Sequence, residues 1–170
     1  ALPISLSLDA ATPWIILPAA LGFRSDERVV INPSYYMPQA MRDLAQATGT
    51  WQLAQLADDG VRMIDGLAGD GLVPDWVAFG PAGQEPPPAR FSRNAGYEAI
   101  RVPLFALWSG QATSPAVRAF AQAAGDAPPG GPYPVVFDPA TRAVIETSAH
   151  AGYGAVAALA NCASADLGKA

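Results

Sequence analysis

Proline and glycine divide this chain into short segments. The 170 residues include 17 prolines and 16 glycines, the two residues that interrupt helices and favour turns. Between these interruptions the apolar residues return every three or four positions, which is the spacing of a helix with one buried face. The sequence therefore predicts a series of helices joined by turns.

The first predicted helix covers residues 34–49, with Ser34 as a candidate N-cap and Pro38 in its first turn. A second helix over 50–69 carries its buried face on one side: Leu53, Leu56, Ala57, Gly60, Ile64 and Leu67. Gly60 weakens this helix slightly, because a glycine inside a helix costs about 0.5–1 kcal/mol relative to alanine.

The second half of the chain continues this pattern with one exception. Further helices are predicted over 95–110, over 114–125, where a serine N-cap precedes a proline, and over 152–165. Residues 80–94 are rich in proline and are predicted to form a surface loop. Residues 133–147 hold two short β-branched runs around a turn, which predicts a small β-hairpin.

Composition narrows the possible partners. The formal net charge is -5, with 10 Lys and Arg against 15 Asp and Glu, and no basic block is present, which argues against nucleic acid or an anionic membrane. A single cysteine and a single histidine leave no zinc-binding pattern, so we expect no metal and no cofactor. A neutral ligand fits this composition better.

No membrane insertion is expected either. No apolar run approaches the roughly 20 residues that span a bilayer, and the start ALPISLSLDA lacks the basic region of a signal peptide. The apolar stretch over residues 11–23 has no preceding element to pack against. We therefore expect an array of helices that is incomplete, with an open apolar flank.

Three motifs carry a resemblance to a known family. NPSYY at 32–36, GLVPDWV at 71–77 and GYEAIRVP at 96–103 resemble, in this order and at these separations, glycoside hydrolase family 8. The similarity is closest to the bacterial endoglucanases associated with cellulose synthase. It extends over essentially the whole chain and matches the middle-to-C-terminal part of the family.

The resemblance implies a fold and a cellular location. We expect an all-α fold: a partial (α/α)6 barrel, about half of the toroid, with one short β-hairpin. Residues 1–170 are expected to form a single domain that is an incomplete part of a larger catalytic domain. The missing half of the fold, or another chain, is expected to cover the open apolar flank. A periplasmic or secreted location is also implied.

The family cleaves β-1,4-glucan with inversion, which requires two carboxyl groups about 6.5–9.5 Å apart with a water between the base and the sugar. The resemblance makes Glu98 the candidate general base, and the general acid is expected to be absent from this chain, since Asp9, Asp26 and Glu27 match no acid motif. The family typically carries Asp at the position of Glu98. The extra methylene shifts the carboxylate, and a misplacement near 1 Å can cost about 100-fold in rate.

Four further residues are candidate substrate contacts by the same resemblance: Tyr35, Trp76, Tyr97 and Arg101. Each has a plainer alternative. Arg101 and Glu98 are spaced as a helical surface pair worth about 0.2–0.5 kcal/mol. Tyr97 is equally consistent with a core tyrosine, and Trp76 with a buried anchor under its turn.

The remaining polar and aromatic residues receive structural interpretations. Asn32, Ser34 and Asp75 are expected to serve turns and caps. Trp51 and Trp108 are predicted to pack in the core, Cys162 to be a small buried apolar residue, and His150 to have no role.

Two functions from different classes remain open. The first is a glycoside hydrolase whose missing half supplies the acid. The second is a noncatalytic protein, derived from the same fold, that binds glycan or takes part in polysaccharide assembly, consistent with the missing acid and with Glu in place of Asp. An inactive fragment is a third possibility.

Overall fold

Five helices and two small antiparallel sheets make up the part of the chain described by the computed structural model, residues 13–125 and 130–166. The helices are α1 Pro38–Thr48, α2 Trp51–Gly69, α3 Arg101–Trp108, α4 Pro115–Ala124 and α5 Ala151–Asp166. The strands are β1 Val29–Ile31, β2 Val77–Gly80, β3 Gly83–Glu85, β4 Tyr133–Phe137 and β5 Val144–Ser148. The fold is mostly helical.

The expectation of an all-α fold with only a hairpin is wrong in one respect. A three-stranded antiparallel sheet, in the order β1-β2-β3, pairs Val29 with Phe79 and Ala78 with Glu85. Its strands have three or four residues, which is too few for a periodicity to be read, and β3 lies inside the predicted loop. The predicted hairpin is confirmed as the antiparallel pair β4 and β5.

Two helix starts differ from the prediction. A 3₁₀ helix, Pro33–Tyr35, occupies the expected first turn of α1, and its cap is Asn32, whose Oδ1 accepts from the Ser34 amide at 3.0 Å. The helix predicted from residue 95 begins only at Arg101. The start of α4 is confirmed, because the Ser114 Oγ accepts from the Ala116 amide at 3.2 Å.

The core consists of two apolar clusters. One lies where β1 and β2 meet α1 and α2, and it contains Val29, Ile31, Tyr36, Leu56, Ile64 and Val77. The other is formed by α3, α4, α5 and β4, and it contains Ile100, Val117, Phe120, Phe137 and Ala160. α2 and α4 pack against each other and join the two.

Tyr36 ties the first cluster together. Its Oη accepts a hydrogen bond from the Ile16 amide at 2.9 Å, and burial raises its pKa to about 12. Its ring lies directly on Gly60, where an added Cβ would stand 2.1 Å from the Tyr36 Cδ1. The glycine inside α2 therefore has a packing reason.

Three burial predictions are wrong. Trp51 is 63% exposed and Trp108 is 56% exposed, because they are the first residue of α2 and the last of α3, where helical periodicity does not decide burial. Cys162 is exposed on α5. Within residues 13–125 and 130–166, no helix is long and apolar enough to cross a membrane.

Candidate functional site

Glu98 and Arg101 meet at the start of α3. Glu98 lies in the turn before this helix and Arg101 is its first residue. The Arg101 Nη2 donates to the Glu98 Oε2 and also to the Ser34 Oγ at 2.9 Å. The pair is partly exposed, with 35% of the Glu98 side chain and 40% of the Arg101 side chain accessible, so a ligand can reach it.

The NPSYY segment completes this pair from 66 positions away. The Asn32 Nδ2 donates to the Glu98 Oε2 at 3.1 Å, and the Ser34 Oγ donates to the Asn32 Oδ1 at 2.6 Å. Asn32, Ser34, Arg101 and Glu98 therefore form a closed ring of hydrogen bonds. The interpretation of Glu98 and Arg101 as an isolated surface pair is wrong, because buried Asn32 and Ser34 hold both side chains.

Asp75 supports the same turn from the GLVPDWV segment. Its carboxylate is 5% exposed, and Oδ1 accepts from the backbone amides of Gly96 at 2.9 Å, Glu98 at 3.1 Å and Ala99 at 2.8 Å. Its Oδ2 accepts from the Ser92 Oγ at 2.9 Å. Asp75 was expected to be a cap or turn residue, and the backbone that it holds is that of the turn around Glu98, 23 positions further along the chain.

Tyr35 and Trp76 belong to an aromatic cluster beside this ring. Trp76 is partly buried and packs against Phe23 and Phe91, with centroid distances of 5.8 Å and 4.6 Å. Tyr35 meets Trp76 edge-on at 6.2 Å and is 38% exposed. An open groove of about 510 Å³ runs along Trp76. Trp76 is thus an anchor of the cluster that also borders open space.

Tyr97 is 52% exposed, so the alternative of a core tyrosine is wrong. Its ring meets that of Tyr153 edge-on at 6.1 Å. The nearby Glu146 carboxylate, on β5, raises the pKa of Tyr97. Residues of the hairpin and of α5 therefore orient the Tyr97 side chain, and Tyr97 directly precedes Glu98 in the chain.

The structure brings together more than the motifs predicted. Asn32, Ser34 and Asp75 were expected only to serve turns and caps, yet all three contact the Glu98 side chain, its partner Arg101 or its backbone. Their membership in the NPSYY and GLVPDWV motifs was the signal that could have found them. Asp9 lies outside the described residues. Among the described residues, no group of three or more His, Cys, Asp or Glu could hold a metal ion.

Comparison with known proteins gives consistent matches. A probable endoglucanase of Novacetimonas hansenii is 33% identical over 114 residues, which cover 62% of this chain and 32% of that protein. An endoglucanase of Cellulomonas uda is 30% identical over 96 residues, 55% of this chain and 27% of that protein. The structure of the endo-β-1,4-glucanase CMCax from Acetobacter xylinum superposes with a TM-score of 0.72 at 26% identity, covering 85% of this chain and 46% of that one.

These matches agree with the three motifs and with the mostly helical fold. The sequence profile of the glycosyl hydrolases of family 8 matches residues 5–168, and the chain belongs to this family. The resemblance inferred from the motifs is thereby confirmed. The match spans between about a quarter and a third of the length of the two curated relatives and slightly under half of CMCax.

Proposed function

We propose that this chain carries the general base of an endo-β-1,4-glucanase that cleaves cellulose with inversion, and that Glu98 is that base. The observation that carries the proposal is that the two oxygens of its carboxylate differ in their hydrogen bonds. Oε2 accepts from Asn32 and Arg101, whereas Oε1 accepts no hydrogen bond within the described part of the chain. One oxygen is anchored and the other is left to receive the proton of an attacking water.

The geometry suits this task because a general base must be held in place. Arg101 and Asn32 both donate to Oε2, so two donors from different parts of the chain fix the position of the carboxylate. Asp75 is not the second carboxyl group, because four hydrogen bonds already occupy its buried oxygens. We propose that the general acid comes from outside residues 1–170.

The same ring and its aromatic neighbours define the proposed binding surface. Tyr35, Trp76, Tyr97 and Arg101 are proposed to contact the β-glucan, through aromatic faces and hydrogen bonds that suit a neutral polymer. Arg101 already bridges Glu98 and Ser34, so it orients the base as well. Tyr35 joins this ring to the aromatic cluster, because it follows Ser34 directly and contacts Trp76.

We propose that the chain forms about half of an (α/α)6 barrel and that other protein covers its exposed apolar side chains, which include Leu44, Trp51, Trp108 and Leu159. Large contiguous apolar patches are rare on soluble monomers. An intact mass of the native protein near 17.6 kDa would assign the acid to another chain, and one near twice that would assign it to the same chain. A periplasmic or secreted location is proposed from the family membership.

The decisive experiment compares the full-length protein with Glu98→Gln and Glu98→Asp, by the release of reducing ends from a soluble cellulose derivative. Glu98→Gln should lower turnover by about 10²–10⁴-fold, the usual contribution of general acid–base catalysis, while binding of cello-oligosaccharides is kept. Glu98→Asp should retain turnover, because it keeps the charge and introduces the residue that is typical of the family. Glu27→Gln, at an exposed acid, is the matched control and should be unchanged.

Full activity in Glu98→Gln would disprove the assignment of the base. A wild type that binds the glucan without cleaving it would support the second candidate, a noncatalytic glycan-binding or assembly protein. That candidate is favoured by one observation, the Glu that stands where the family typically has Asp.

A further inference from the structure

We propose that Asp75 is a positioning residue that sets the backbone from which Glu98 projects, an inference that rests on the proposed function of Glu98 and deepens it. Asp75 is buried, and within the described residues its carboxylate accepts from one side chain, Ser92, and otherwise from backbone amides. It accepts the amide hydrogen of Glu98 itself and of Gly96 and Ala99. Its own amide donates to the Asn94 carbonyl at 2.7 Å, so Asp75 binds the turn in both directions.

A carboxylate suits this position for an electrostatic reason. The amides before and at the start of a helix have no carbonyl acceptors within that helix, and they form its positive end. α3 begins at Arg101, and the three amides that converge on the Asp75 Oδ1 belong to the turn just before it, whose carbonyls accept from the first amides of α3. Hydrogen bonds to a charged acceptor are roughly twice as strong as neutral ones. The Asp75 charge therefore holds the turn more firmly than a neutral side chain would.

The opposite side of the turn is held by β4. Ala95 and Phe137 exchange two backbone hydrogen bonds, at 3.0 Å and 2.9 Å. Between the two anchors lies Gly96, where an added Cβ would stand 3.2 Å from the Asp75 Oδ2 and 3.2 Å from the Val136 Cγ2. The turn thus lies tightly between Asp75 and the hairpin, which leaves little freedom for the Cα atom of Glu98.

The backbone and the head group of Glu98 are consequently fixed by different motifs. Asn32 and Arg101 hold the carboxylate, and Asp75 holds the amide of the same residue. Without Asp75 the head group keeps its partners while the turn shifts. A displacement of about 1 Å costs about 100-fold in rate, whereas glucan binding, which depends on other side chains, should change little.

The test measures kcat, KM and the unfolding temperature of the full-length protein and of Asp75→Asn and Asp75→Ala. Asp75→Ala should lower kcat by about 100-fold with KM within about threefold. Asp75→Asn keeps an acceptor oxygen without the charge, so it should restore part of the loss. The matched control is Asp138→Ala, since the Asp138 Oδ1 also accepts two backbone amides and a hydroxyl, but in the hairpin turn. The control should lower stability without changing kcat.

If Asp75→Ala does not fold, Asp75→Asn and Gly96→Ala test the same point, because each disturbs the turn without emptying the site. The inference would be overturned by an unchanged kcat in Asp75→Asn together with an unchanged kcat in Asp75→Ala or, if that variant does not fold, in Gly96→Ala. A loss of kcat of the same size in Asp138→Ala would also overturn it. A wild type without glucanase activity, or a fully active Glu98→Gln, would instead overturn the proposed function. The two failures are therefore distinguishable.

Discussion

The Asn32 Nδ2 donates a hydrogen bond to the Glu98 Oε2 at 3.1 Å, although 66 positions separate the two residues. Asn32 is fully buried and follows β1 directly, so the sheet that the sequence did not reveal is what places it. Its Oδ1 is already used by the Ser34 amide and hydroxyl, which leaves only the amide group for Glu98. The orientation of Asn32 is therefore determined by its own turn.

This relationship predicts the effect of Asn32→Asp. The new carboxylate keeps the acceptor for Ser34 but turns an oxygen toward Glu98, and two like charges in contact oppose ionisation. We expect kcat/KM to fall at least tenfold at neutral pH and the acidic limb of its pH profile to move to higher pH. Asn161→Asp serves as the control, because the Asn161 side-chain amide on α5 donates to the carbonyl of Gly125, the residue after α4. An unchanged pH profile in Asn32→Asp would show that Asn32 does not act on the base.

The contact between Gly60 and Tyr36 predicts opposite effects of the same change at two positions of α2. In Gly60→Ala the new methyl group meets the buried Tyr36 ring, and overpacking of this kind costs about 1–3 kcal/mol. In Gly66→Ala the new methyl group meets nothing within 4 Å, so the helix should gain about 0.5–1 kcal/mol. Chemical denaturation of both variants measures the two free energies of unfolding. Equal effects at the two positions would contradict this account of Gly60.

The turn of the hairpin predicts a pH-dependent stability. Hydrogen bonds from Thr141 lower the pKa of Asp138 below its ordinary value of 3.8. A carboxyl group whose folded-state pKa is lowered stabilises the fold above its unfolded pKa, and this contribution is lost as the pH falls through the folded value. The unfolding temperature of Asp138→Ala should therefore lie below that of the wild type at pH 7, and the gap should narrow as the pH falls below 3.8. A gap that stays constant down to pH 2 would contradict the prediction.

Local patterns were sufficient for several elements. The N-cap of α4, the long helix α2 and the hairpin of β4 and β5 were predicted correctly, because capping, helical periodicity and turn residues act over a few neighbouring positions. Burial at helix ends was not predictable in this way. Trp51 and Trp108 fit an apolar pattern, yet each stands at a helix terminus and remains mostly exposed.

The three-stranded sheet was not predictable from local sequence patterns either. Its strands are too short to carry a period, and they form because Val29 and Ile31 pair with a segment more than 40 positions away and bury their side chains in the first core cluster. A strand of three residues has little stability by itself. Its existence depends on pairing and burial, which are properties of the assembled fold.

The sequence by itself determined the family, through three motifs in register, and it singled out Glu98 and Arg101. Only the tertiary structure decided how those motifs cooperate. It joined Asn32 to the Glu98 head group, Ser34 to Arg101, and Asp75 to the Glu98 backbone. The physical reason is that a hydrogen bond requires two atoms within about 3 Å, and for residues 23 or 66 positions apart that distance is set by the packing of the whole domain.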